Sequence, residues 1–361
     1  MGPLVLALLS SAAALFVGAA VLLLRGALFR PRQPMRLVVV QREDHPGGLF
    51  TLLLRRPGPA RLLPLPRFLA GQSVALSIPG ETVRRRYSIA RWQRLPFSYE
   101  VAIKREPGGR FSPRLADHAR PAARLLVGHP SGKFILPKQA ERRRLVLIAG
   151  GVGITPLLAM LEQWCESGRP RSPTYLYWQV RHEAEAIYRE ALAALSRRHA
   201  DLQVRILVSR PARGAAQRID AALLAADLGA LEGADFLICA GAGLLEALRS
   251  QLSGAGVPAG ALHFERFSLQ RSCGQDQDQD RTVDFGGERF SFAGHGSLLE
   301  AIEAQRLAID ADCRTGSCGR CLLAIEEGEV AYRVTPECLP SPAHVLACCA
   351  VPKTDLRLRT V

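Results

Sequence analysis

Aromatic side chains are scarce in this chain, at 6% of 361 residues, and no long tract of lysine or arginine occurs. Both absences argue against nucleic-acid binding, which relies on stacking platforms and concentrated positive charge. Acidic residues are also short: Lys and Arg total 47 against 33 for Asp and Glu, a balance of +14. Without a nucleic-acid partner, that excess points to an anionic membrane surface or an acidic protein. Of the nine cysteines, Cys165, Cys239, Cys273, Cys338 and Cys349 show no framework spacing, which excludes a disulfide scaffold and fits a reducing compartment. His45, His118, His129 and His295 have no partner at metal-ligand spacing and read as surface or packing residues. The glycine-rich turns do not spell the G-x-G-x-x-G fingerprint, and the paired short knuckles of structural zinc sites are missing. With 48% hydrophobic residues there is ample material for cores, and the length suggests two or three domains.

What is present is concentrated near the carboxyl end. Cys313, Cys318 and Cys321 stand at C-x4-C-x2-C, and Cys348 follows in Leu346-Ala347-Cys348. Two irons need four thiolates, so one tight loop offers three and a distant strand brings the fourth; this spacing favours a [2Fe–2S] cluster over zinc. Gly316 and Gly319 let the loop backbone take positive φ and bring amides near the inorganic sulfurs. The loop resembles the plant-type ferredoxin family over about the last eighty residues. That resemblance implies a β-grasp-like domain with Cys313, Cys318, Cys321 and Cys348 as ligands, and Cys349 as a neighbour outside the set.

At the other end, Leu4 to Leu24 carries no charge and is long enough, at ~1.5 Å per residue, to reach about 31 Å. A cleaved signal peptide would have a basic start and a shorter apolar core, and this segment has neither. Arg25, Arg30, Arg32 and Arg36 follow it, so the expectation is a single-pass membrane anchor over residues 1–30 with the catalytic domains cytoplasmic and the bilayer as a partner.

Between the ends the hydrophobic period changes twice. Arg36 to Val40, Leu49 to Leu53, Ser73 to Ser77 and Tyr99 to Lys104 read as strands separated by Pro-Gly turns, the pattern of an antiparallel barrel over residues 35–138. Arg86-Tyr87-Ser88 joins a guanidinium suited to diphosphate, a phenol ring suited to a flat ring system and a hydroxyl. Gly109 then leads into a short helix with Ser112 expected at its cap and Pro113 in its first position. Phe68 to Gln72, Arg86 to Ser88, Gly109 to Ser112 and Gly132 to Phe134, in that order, resemble the flavin domain of the ferredoxin–NADP reductase superfamily. The resemblance implies a flavin held by Arg86, Tyr87, Ser88, Gly109 and Ser112. The glycine turn before a helix favours FAD over FMN.

Residues 139–268 alternate apolar strands with helical stretches, the rhythm of a parallel sheet covered by helices. Arg144 to Ala149 runs into Gly150-Gly151-Val152-Gly153-Ile154-Thr155-Pro156, with a helix expected from Leu157 to Cys165 and Thr155 as its cap. A further helix is expected from Glu183 to Arg198. The Gly-Gly-x-Gly-x-Thr-Pro turn resembles the nucleotide domain of the same superfamily and implies that Gly150, Gly151, Gly153, Thr155 and Pro156 hold a pyridine nucleotide. The resemblance also places Cys239 and Glu265 beside the nicotinamide. Arg181 and Ser209-Arg210 leave NADH and NADPH equally open.

A polar stretch over residues 269–281 reads as a linker, and residues 282–361 as the cluster domain, where Gly286-Gly287 suggests a hairpin and Ser297 to Glu300 a capped helix. A nicotinamide releases electrons as a pair and an iron–sulfur cluster takes one, so a flavin between them is the physical adaptor. The expected activity is an NAD(P)H-dependent flavin and iron–sulfur reductase. Its expected acceptor is an oxygenase or desaturase with an acidic docking face opposite Arg314 and Arg320. The alternatives are a reductase of a soluble redox protein (hybrid-cluster or haem) and a non-catalytic redox sensor.

Overall fold

Eleven residues of β1, Met35–His45, open a meander whose apolar positions alternate with polar ones, as a half-buried strand requires. The computed structural model describes residues 33–361 except 82, 110, 138–142, 168–172, 267–279, 294–295, 312, 317–318, 334–335 and 337–339. β1 pairs antiparallel with β2 (Leu49–Arg55), and β2 with β5 (Tyr99–Lys104). β3 (Ser73–Ser77) lies between β4 (Arg84–Ser88) and β6 (Arg124–Val127), giving the order β4-β3-β6-β1-β2-β5. A bridge from Ile89 to Val101 brings the end of β4 back to β5 and closes the sheet on itself, leaving no free edge there.

The second sheet is parallel, ordered β11-β10-β7-β8-β9 from Leu262–Arg266, Ala234–Ala240, Arg144–Gly150, Thr174–Val180 and Leu202–Val208. Leu145, Leu147 and Ala149 of β7 pack on the side of helix Ile154–Glu166, while Val146 and Ile148 face a second core with Leu224 and Leu248. Covering both faces is why β7 and β10 read as continuous apolar runs. The first core extends into the barrel through Leu49, Ala70, Ala102 and Phe134. Polar contacts reinforce that junction: buried Glu162 accepts from the Trp92 amide at 2.7 Å and from Arg91 Nε at 2.5 Å, and Gln163 accepts from the Ala70 amide at 3.2 Å.

The third sheet, β13-β12-β16-β14-β15, is built from Glu288–Ser291, Thr282–Phe285, Leu356–Thr360, Leu322–Glu327 and His344–Leu346. Helix Leu298–Ala304 covers it and supplies Leu298, Leu299 and Ile302 to the core. The Gly286-Gly287 turn has φ of +63 and +94, the doubly left-handed pair a tight hairpin demands. Ser297 caps the helix by accepting from the Glu300 amide, and Glu300 in return accepts from the amide of Gly296.

Three local expectations change. The helix expected from Glu183 to Arg198 is a single 3₁₀ turn over Glu183–Glu185 and an α-helix over Arg189–Arg198. The break turns Tyr188 inward, where its hydroxyl donates to Glu100 at 2.9 Å. The helix expected to start at Leu157 starts at Ile154 because the glycine turn is itself a 3₁₀ helix that runs straight into it. The single-pass membrane placement with cytoplasmic domains is also corrected. Among the described residues no helix is long and apolar enough to cross a membrane. The two longest, Ile154–Glu166 and Ala242–Gly254, have 13 residues each, or about 20 Å against the ~30 Å of a bilayer core. Leu4 to Leu24, on which the anchor and the bilayer partner rested, lies outside the described residues, as does most of the expected linker.

Candidate functional site

The antiparallel register of β3 and β4 sets Ser73 opposite Ser88, Val74 opposite Tyr87 and Ala75 opposite Arg86. Ser88 is buried at the end of the strand. Arg86 donates from Nε to Ser73 Oγ at 2.9 Å and from Nη2 to the carbonyls of Ser73 and Ser131, both at 2.6 Å. Three acceptors from two segments hold one guanidinium in a set orientation. Ser73 and Ser131 are supporting residues that sequence reasoning missed; the one signal for Ser131 is its place beside Gly132. Burial pushes the Tyr87 phenol up, with Arg85 pulling the other way, so the ring stays a neutral hydroxyl.

Gly109 and Ser112 lie on the following turn. A Cβ at Gly109 would stand 2.9 Å from the Glu106 carbonyl, so only glycine fits. Ser112 is the first residue of helix Ser112–His118 and not its cap, which is Phe111. Its hydroxyl instead accepts from the Glu106 amide at 3.0 Å and closes the turn.

At the nucleotide turn the glycines answer to packing as well as to any ligand. A Cβ on Gly153 would lie 2.0 Å from the Cys239 carbonyl oxygen, and one on Gly150 2.9 Å from Ala240 Cβ. Gly151 has φ +55. Its carbonyl accepts from the indole of Trp178 at 2.8 Å, an anchor the sequence reading did not include. Thr155 does not cap the helix, whose cap is Gly153. The Thr155 hydroxyl donates to the Val152 carbonyl at 3.0 Å, and Pro156 is buried behind it.

Cys239 and Glu265 are register partners on adjacent parallel strands, and the Cys239 thiol donates to Glu265 Oε2 at 3.7 Å. Burial, followed by the Glu265 carboxylate, pushes the Cys239 thiol well above its usual range. The pair is therefore a neutral thiol facing a carboxylate, at the carboxyl end of the sheet where open α/β sheets bind ligands.

In the third sheet Cys321 and Cys348 are buried against each other, and Cys313 lies within electrostatic reach of both. The hydrogen bond with Cys348, and then burial, pushes the Cys321 thiol up. The bond to Cys321 pulls Cys348 down, while its contact with Cys349 and burial push it up, with a net of about 12. Cys349 Sγ is 3.5 Å from Cys348 Sγ. A Cβ on Gly316 would fall 2.6 Å from Cys349 Sγ and 3.0 Å from Pro336. Arg314, Gly316 and Gly319 all have positive φ, and the Thr315 amide points at Cys313 Sγ at 3.4 Å.

Cys318 lies outside the described residues, and among those described no three ligating side chains converge on one metal ion. A binuclear cluster does not need that, since each iron takes two thiolates. Crowded thiols in a loop of left-handed backbone, with an amide aimed at one sulfur, fit such a group.

One expectation about this loop fails. Arg314 is not part of a docking face: its side chain is 13% exposed and forms two hydrogen bonds with Glu303, one of 2.8 Å, which is itself 17% exposed. Arg320 does stay at the surface, 3.7 Å from Asp310.

Comparison with known proteins agrees with this layout. The oxidoreductase NAD-binding domain family matches residues 147–250, and the 2Fe-2S iron-sulfur cluster binding domain family matches residues 282–353. The chain is 33% identical over 349 residues to one of the subunits of 1,2-phenylacetyl-CoA epoxidase from Escherichia coli (strain K12), covering 88% of this chain and 95% of that protein. It is 29% identical over 305 residues to phenoxybenzoate dioxygenase subunit beta of Ectopseudomonas oleovorans, covering 83% and 89%. The solved structure of phthalate dioxygenase reductase shares the fold with a TM-score of 0.70 at 24% identity, covering 90% of this chain and 98% of that one.

Proposed function

Because this chain belongs to the phthalate dioxygenase reductase-like family, with a ferredoxin–NADP reductase fold and a carboxy-terminal [2Fe–2S] domain, we propose that its three sites form one electron path to an oxygenase. It is an NAD(P)H-dependent flavin and iron–sulfur oxidoreductase. When bound, the flavin takes the two electrons of a hydride and releases them singly, and the cluster carries one at a time. The observation that carries the reading is a nucleotide turn packed on Cys239, followed on the same polypeptide by the paired thiols of Cys321 and Cys348.

Each residue then has a task. Arg86, fixed by Ser73 and Ser131, would pair with flavin phosphate, Tyr87 would offer its ring to the ring system, and the Ser88 hydroxyl would be the polar group beside it. Gly109 and Ser112 shape the adjoining turn, on which the choice of FAD over FMN rests. Gly150, Gly151 and Gly153 let backbone amides approach the dinucleotide, and Thr155 and Pro156 hold the helix start that follows. Cys239 and Glu265 border the nicotinamide, with the thiol neutral so that no second negative charge meets the carboxylate. Cys313, Cys318, Cys321 and Cys348 hold the cluster, and Cys349 packs behind it.

The acceptor is the oxygenase component of such a system, matching the relatives named as parts of an epoxidase and a dioxygenase. With Arg314 internal, Arg320 is the cation of the cluster loop that remains to meet an acidic partner face.

NADH or NADPH added under argon to the purified protein bleaches both the flavin and the cluster absorption bands. If neither nucleotide bleaches either band, the chain is not a reductase.

A further inference from the structure

Strand β4 begins with three arginines, and the flavin reading uses only Arg86. Of the two before it, Arg84 reaches out of the barrel. Arg84 Nε donates to the Ala311 carbonyl at 2.9 Å, and its guanidinium pairs with Asp310. Those two residues lead into the cysteine loop just ahead of Cys313. Arg85 is half-buried; its Nη1 donates to the Arg84 carbonyl at 2.9 Å, and it lies within electrostatic reach of Arg314 and Glu303. Burial and then the Arg314 guanidinium lower Arg85 to about 10, while the carboxylates of Glu303 and Glu300 work against that. Arg314 directly follows Cys313. The strand that presents Arg86, Tyr87 and Ser88 to the flavin therefore meets, through Arg84, the segment that leads into the cysteine loop ahead of its first ligand. Asp310 is shared, since Arg320 of the same loop also lies 3.7 Å from it.

We propose that Arg84 and Asp310 are positioning residues that hold the cysteine loop against the flavin strand and so set the rate of electron transfer from flavin to cluster. The inference rests on the reading above. In that step one electron leaves the reduced flavin and the oxidised cluster gains it, with no bond made or broken between protein groups. Transfer of this kind falls exponentially with distance, so a loop released by a small displacement passes electrons more slowly although every ligand is present. The pair is partly exposed, with side-chain exposures of 38% and 57%, and salt screens it. The step therefore slows as ionic strength rises.

The test is stopped-flow mixing of NADH (or NADPH, whichever reduces the wild type) with the cofactor-loaded protein, following flavin and cluster bands separately. It compares wild type, Arg84→Ala, Asp310→Ala and the double variant. Flavin reduction stays within about twofold of wild type, and cluster reduction falls at least about tenfold in each single variant. The double variant is slowed by less than the product of the two single effects, because the Arg84–Asp310 pair is lost only once, whereas Arg84→Ala also loses the Ala311 bond and Asp310→Ala the Arg320 contact. Wild-type cluster reduction in Arg84→Ala overturns the inference, and so does an equal loss of both steps, which marks general damage. A wild-type flavin that no nicotinamide reduces brings down the functional reading itself, in an arm of the experiment that contains no variant.

Discussion

Gly153→Ala lowers the melting temperature by about 10 °C and leaves the protein without measurable nicotinamide binding. The added Cβ would lie 2.0 Å from the Cys239 carbonyl oxygen and 2.7 Å from its carbon. Both atoms belong to the backbone of a strand buried along its whole length, so neither can swing aside as a side-chain tip would. Overpacking of that kind costs about 3 kcal/mol or more, and each kcal/mol moves the midpoint of a chain this size by about 2–4 °C. The clash also pushes the glycine turn away from the Cys239–Glu265 pair, which is why binding goes with stability. Gly241→Ala is the control: its Cβ meets nothing within 4 Å, and the variant melts within about 2 °C of wild type. An unaltered melting temperature in Gly153→Ala would mean that the turn and β10 do not pack as described.

Cys348→Ser and Cys349→Ser separate sharply despite being neighbours. Cys348 shares a hydrogen bond with Cys321 and lies within reach of Cys313, whereas Cys349 contacts Cys348 and its sulfur lies 2.6 Å from where a Cβ on Gly316 would stand. Cys348→Ser loses at least about tenfold in cluster content, read from iron and acid-labile sulfide, since even outer-shell changes cost a metal site that much. Reduction of ferricyanide by the nicotinamide persists in it, because that activity is served at the flavin. Cys349→Ser keeps its cluster. If Cys349→Ser lost the cluster and Cys348→Ser retained it, the ligand assignment would be reversed.

How much of this was legible in the sequence depends on how local the cause is. The parallel strands could be read because burial on both faces leaves an unbroken apolar run, as in Arg144–Gly150. The Gly286-Gly287 hairpin and the Ser297 cap could be read because each is settled within a few residues. Helix starts were less legible. Thr155 and Ser112 have the chemistry of caps, but their hydroxyls are drawn to the Val152 carbonyl and the Glu106 amide by turns the sequence does not display. The break before Arg189 was invisible, since Tyr188 is turned by a partner 88 residues away. The resemblance named Cys239 and Glu265 for the nicotinamide, and the register of two parallel strands makes them direct partners. Arg314 looked like a surface cation until Glu303 was found beside it. Nothing local could link Arg84 to Asp310 across 226 positions.

The central claim is that electrons enter as a pair at the nucleotide end and leave singly through the cysteine loop. Rapid anaerobic mixing of wild-type protein with one equivalent of nicotinamide, sampled for the paramagnetic signal of the reduced cluster, tests it most directly. The account predicts that the flavin band bleaches first and that the cluster signal then grows at the rate at which flavin colour returns. A cluster signal that appears with no prior change in the flavin, or a bleached flavin that never yields one, would contradict it.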